Sequence, residues 1–204
     1  MNPPKPPRPV KSISELLAAT TARAIPVVRG VEAGALTAPT PCADYDVRDL
    51  INHLLHVVVN FQALAAKRDS DFSTTPDRVS AAGADGGGWQ RLFADETDRL
   101  VAAWAAAGAE DGTTGTLGLP ARTVGHMVLA DLTVHVWDLA RATGQAYRPD
   151  PDVVAELGPA VADMASMARE WEAFGEAVSL PEDATPFERL LATTGRDPRW
   201  SPAR

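Results

Sequence analysis

The chain has 204 residues, 45% of them hydrophobic and 23% charged, and carries a net charge of −8. That length supports one sizeable core, while the acidity excludes a general affinity for nucleic acid or for an anionic membrane surface, both of which need a basic face. A single cysteine, Cys42, excludes an internal disulfide; no apolar run approaches the roughly 18 residues of a membrane span, and with no apolar N-terminal signal segment the thiol points to a reducing cytoplasm.

Residues 1–11, MNPPKPPRPVK, hold five prolines and three basic residues, so they read as a disordered arm ahead of one domain over residues 12–204. The first helix begins at a Ser12 or Ser14 cap with Glu15 in its first turn, and Pro26 is expected to kink it. A connection over residues 34–45 ends in TPCADYD. The second helix, residues 46–67, has Asp46 as N-cap and Asp49 in the first turn, both favourable against the positive helix end. Leu50, His53, Leu54, Val57, Phe61 and Leu64 repeat at spacings of three and four, which places His53 in the core-facing stripe and turns Asn52, Gln62 and Lys67 outward. Residues 69–88 form a long Ser, Thr, Pro and Gly loop, of the length that serves as a lid or stays disordered. A third helix over residues 89–107 follows, then a Gly and Thr rich connection able to hold a short extended piece.

Residues 121–144 form a helix that is apolar on nearly every side, so it is expected at the centre of the molecule and largely buried. Asp131, His135 and Asp138 interrupt it at spacings of four and three, in one stripe. Beyond it, Asp150 caps a fifth helix with Pro151 in its first turn and Pro159 bending or splitting it. A tail with a short helix at residues 186–194 packs along the bundle.

Burying a carboxylate and an imidazole without partners is costly, so the stripe demands pairing, hydrogen bonding or a metal. Asp131 and His135 lie one turn apart and suit two corners of a metal site, with His53 from the second helix as a third and His56 as its backup. Three protein ligands leave a coordination position free for water or substrate, as catalytic sites require. The spacing alone also admits a buried His135 to Asp131 hydrogen bond with no metal, and His53 as an unrelated core histidine. His126 points about 140° away from Asp131 around the axis and is excluded as a ligand of the same ion. Asp138 either orients His135 or, the reading preferred here, pairs with Arg141. Cys42 reads as a small buried residue, with a thiol near the site as the alternative. Arg141, Arg189 and Arg196 read as surface salt-bridge residues rather than holders of a substrate carboxylate. A phosphate loop, a GxSxG elbow, an HExxH pair and a dinucleotide glycine fingerprint are all missing from the sequence.

Taken together, TPCADYDVRDLINHLLH, ADLTVHVWDLARATGQ and FGEAVSLPEDATPFERLLATTGRDP resemble the actinobacterial metal-binding proteins of the mycothiol-dependent maleylpyruvate isomerase and DinB-like superfamily, over residues 12–198. The resemblance implies an all-α, DinB-like up-and-down four-helix bundle with an additional C-terminal helix and tail. It implies His53, Asp131 and His135 as ligands of one divalent ion, zinc first and nickel as the alternative. The isomerase looks to have Glu where this chain has the shorter Asp131. By the same resemblance, the protein is a thiol-dependent transferase or isomerase acting on a small electrophile, with mycothiol as the thiol; separately, a monomer or homodimer is expected. The alternative is a non-enzymatic ligand-binding or regulatory module in which the metal only braces the helices.

Overall fold

A computed structural model describes residues 10–83, 88–116 and 118–202. Of the expected N-terminal arm only Val10 and Lys11 fall within them; the rest of that expectation lies outside the described residues, as do residues 84–87 of the long loop. The described chain is all-α apart from one hairpin: α1 Ile13–Arg29, α2 Val47–Ala65, α3 Arg78–Ala81, α4 Gly88–Trp104, β1 Thr113–Thr114, β2 Leu119–Pro120, α5 Ala121–Ala142, α6 Pro151–Glu170 and α7 Pro186–Thr193. Among the described residues no helix is long and apolar enough to cross a membrane.

Local chemistry sets the helix starts. Ser12 with Glu15, Asp46 with Asp49 and Thr185 with Glu188 form reciprocal capping boxes, and Asp150 caps α6 ahead of Pro151. Gly144, at φ 68°, follows the end of α5 in the left-handed conformation that terminates helices. Of the two outcomes expected at Pro159 the split is corrected, since α6 runs unbroken from Pro151 to Glu170. The carbonyl that Pro159 deprives of a partner belongs to Ala155, which is exposed, so water can satisfy it.

The bundle is DinB-like. Helices α1 and α2 each pack against both α4 and α5, so the order around the bundle is α1, α4, α2, α5. Helices α6 and α7 pack on each other, and α6 lies along α5. Because α1 and α2 stand diagonally, the connection between them must pass from one side of the bundle to the other, and it brings Tyr45 to His53 and Cys42 to His135 and Asp138. Ile13, Leu17, Leu50, Leu54, Phe93, Leu100, Val128 and Leu132 have no exposed surface and fill the centre. Gly125 permits the approach of α1 to α5, since a Cβ there would come within 2.7 Å of Ile13 Cγ1.

The outward reading of α2 is corrected at Asn52, while Gln62 is half-buried and Lys67 is exposed as expected. Asn52 is buried, donating to Asp77 Oδ1 at 3.1 Å and accepting from the Val79 backbone at 2.9 Å. Gln62 donates to Glu96 Oε2 at 2.8 Å, and Lys67 donates to the carbonyls of Ala109 and Asp111. The cause is tertiary: α3 covers Asn52 and α4 partly covers Gln62, and α3 itself lies within the Ser, Thr and Pro run.

Candidate metal centre

Helix α5 lies between α1, α2 and α6, which is why so little of its circumference is polar. Its neighbour α2 brings His53 across to the α5 stripe. His53 Nε2 lies 3.2 Å from Asp131 Oδ1, and His135 Nε2 lies 3.6 Å from the same oxygen. The two imidazoles meet edge to face with ring centres 4.8 Å apart. Donor atoms of His53, Asp131 and His135 all fall within 4.8 Å of one another.

The arrangement fits a divalent cation on two counts. Ligands about 2.0–2.1 Å from a tetrahedral zinc stand roughly 3.3 Å from each other, and the 3.2 and 3.6 Å separations bracket that value. Asp131 Oδ2 is buried without a hydrogen-bond partner, an orphan that a cation would satisfy. Two neutral imidazoles and one carboxylate form a set suited to zinc, with nickel also accommodated.

Electrostatics within the cluster run as its geometry requires. Burial opposes the His53 imidazolium, but the Asp131 charge and hydrogen bond outweigh it and raise His53 above its usual value. Burial likewise opposes the Asp131 carboxylate, yet His53 and His135 hold it below the usual carboxylate range.

Behind His135 lies a second layer of contacts. His135 Nδ1 donates to Asp138 Oδ2 at 2.9 Å; a carboxylate can only accept, so Nε2 of the neutral ring keeps its lone pair and faces the cluster. Asp138 has no exposed surface and also receives Arg196, whose Nε and Nη2 lie 3.4 Å from the same oxygen. The preferred pairing of Asp138 with Arg141 is therefore corrected: Arg141 instead donates to the Trp200 carbonyl, anchoring the tail. Arg189 is likewise a donor to tail carbonyls, at Glu182 and Ala184, and Arg196 is a buried residue rather than a surface one. Spacing could not find the Arg196 contact, which spans 58 positions.

Cys42 is half-buried, with its sulfur within 4.8 Å of donor atoms of His135 and Asp138, so the thiol-near-the-site alternative describes its placement. Burial pushes its pKa up despite the nearby Arg196. Tyr45, which the sequence reading missed, places its hydroxyl 3.4 Å from His53 Nδ1. The signal was its position one residue before the α2 cap, on the strand of chain that crosses to the core. His56 is not brought in: its Nδ1 lies 3.2 Å from Asn60 Nδ2 and its ring packs edge-on against Phe72. His126 sits apart, 3.0 Å from Glu156, in a network with Arg122 and Glu110.

Asp131 forms the floor shared by two cavities. One, of about 130 Å³, lies between α5, α6 and the segment carrying Thr194 and Arg196. The other, of about 560 Å³, opens past His53 toward Phe72 and the hairpin at Thr114 to Thr116.

Fold and site together define an all-α bundle protein with a cluster of two histidines and one carboxylate at the base of a cleft. The family described as mycothiol maleylpyruvate isomerase N-terminal domain matches residues 17–140, which include the whole cluster, and the chain belongs to that family. Uncharacterized proteins from two strains of Mycobacterium tuberculosis are each 28% identical to it over 180 residues, covering 85% of this chain and 91% of theirs. No solved structure gives a significant match.

Proposed function

We propose that His53, Asp131 and His135 hold one divalent cation, zinc or alternatively nickel, and that the protein is a mycothiol-dependent transferase or isomerase acting on a small electrophile in the cytoplasm. The observation that carries this reading is the Asp131 carboxylate lining a cleft, with Oδ1 beside two imidazole nitrogens and Oδ2 buried and unpartnered. A bound cation would supply Lewis acidity, bringing the pKa of a coordinated thiol toward neutrality.

The chain's own residues do the rest. Asp138 holds the His135 tautomer and Tyr45 steadies the His53 ring, so both Nε2 atoms face the carboxylate. Arg196 balances the charge of the buried Asp138 carboxylate. The cleft walls exclude water from the reacting groups and orient the electrophile against the floor. Two openings onto one carboxylate support a site that takes two molecules, which favours this reading over a metal that merely braces helices.

Mycothiol mixed with bromobimane as the electrophile tests it. Zinc-loaded wild type is expected to accelerate formation of the fluorescent thioether, and His53→Ala to lose the acceleration while keeping its helical circular dichroism. Equal rates for wild type, variant and buffer would overturn the thiol-transfer reading.

A further inference from the structure

The smaller cavity allows the ligand class to be narrowed. Its walls are Phe61, Val134, Met164, Met167, Trp171 and Phe174, and polar groups enter only at the floor and one edge. The guanidinium there, Arg196, has its charge balanced by Asp138: Nε and Nη2 face that carboxylate at 3.4 Å, and Nη1 donates to the Thr194 carbonyl at 2.9 Å. Thr194 turns its hydroxyl to the Leu191 carbonyl at 2.8 Å. Neither Lys nor Arg lines the larger cavity. Among the described residues the cleft therefore offers a carboxylate no cationic side chain whose charge is not already paired with an acidic group, and a dianion would lose its hydration against thioethers and aromatic rings.

From this we infer that the electrophile of the proposed reaction is an uncharged molecule with an apolar alkyl or aryl body, seated between α5, α6 and the C-terminal segment with its polar end toward Asp131. An inference of this kind deepens the function proposed above and rests on it for the word electrophile. Methionine side chains adapt to ligand shape, and two of them line this wall. An apolar cavity of about 150 Å³ accepts a benzene-sized guest, and this one is about 130 Å³, so a single ring or a short chain is the scale. Such a substrate differs in kind from the carboxylated one in the family's name.

Isothermal titration with 1-butanol, 1-pentanol, 1-hexanol, benzyl alcohol and succinate, on zinc-loaded and on metal-free protein, tests the cavity separately from the cation. Affinity is expected to rise about fourfold per added methylene, from roughly 0.8 kcal/mol per buried CH₂, in both forms. Succinate is expected to show no saturable binding to the metal-free form. Met167→Asp, at a half-buried wall position, and Ala168→Phe, which fills the space, should each flatten the alcohol series while zinc uptake is unchanged. A flat series in wild type, or succinate binding more tightly than hexanol, would overturn the inference. Failure to take up zinc with the series intact would instead count against the proposed function alone.

Discussion

Replacing Asp138 by Asn probes the layer behind the candidate metal ligands. The wild-type carboxylate has no exposed surface, accepts from His135 Nδ1 at 2.9 Å and faces Arg196 Nη2 at 3.4 Å. The amide oxygen can still accept from His135, but the negative charge opposite Arg196 is gone and an NH₂ group needs a new acceptor. Breaking a buried ion pair costs about 3–5 kcal/mol when the remaining charge is isolated. Arg196 keeps the Thr194 carbonyl and its contacts to Asp138 are long, so about 2–3 kcal/mol is the expectation for the metal-free protein. Zinc affinity should fall about 10–100-fold, the usual effect of losing the partner of a ligating histidine. Urea unfolding reads the first number and chelator competition the second. A variant with wild-type zinc affinity within a factor of two would refute the idea that Asp138 orients His135.

Two glycines should respond with opposite signs to alanine. Gly125→Ala drives a Cβ to 2.7 Å from Ile13, and overpacking of about 1–3 kcal/mol less a propensity gain of about 1 leaves a lower melting temperature. Gly34→Ala, in the short 3-10 turn Ala33–Ala35 with nothing within 4 Å of its Cβ, should raise the melting temperature, by about 0.5–1 kcal/mol of stability. Asn52→Ala removes two buried hydrogen bonds and should cost about 2 kcal/mol in urea unfolding, with faster amide exchange at Val79. In the metal-free protein the His53 pKa is raised, so its contribution to stability is full below about 6.5 and fades as pH rises through its folded value. Asp131 is lowered, so its contribution holds above about 3.9 and fades as pH falls through its folded value. The pair therefore stabilises most in mildly acidic solution, and His53→Gln should abolish the alkaline fade. Zinc affinity has the reverse slope, rising with pH through the His53 titration, because the cation competes with its proton.

How much of this could be read from the chain follows the range of the interactions. Caps and the α5 stripe are set by neighbours within four positions, so Ser12, Asp46, Asp150 and the Asp131 to His135 spacing were legible. The placement of His53 was legible through the stripe of α2, once that helix was taken to face α5. What failed depends on elements far apart in sequence. Asn52 reads as an outward polar residue until α3 covers it, and Arg196 reads as a surface cation until the tail carries it under α6 to Asp138. Tyr45 escaped because the crossing of the connection between α1 and α2 follows from helix order, which periodicity does not encode. Pro159 does not split α6, since a proline on the exposed side of a long helix leaves its orphaned carbonyl to water.

The central claim is the three-ligand cation site, and elemental analysis of untagged protein addresses it most directly, on wild type, His53→Ala and His135→Ala after equilibration with zinc and removal of excess. About one equivalent in wild type, lost from both folded variants, is the result predicted here. Wild type that takes up neither zinc nor nickel, or variants that keep a full equivalent, would contradict it and leave Asp131 as a buried carboxylate paired with histidine.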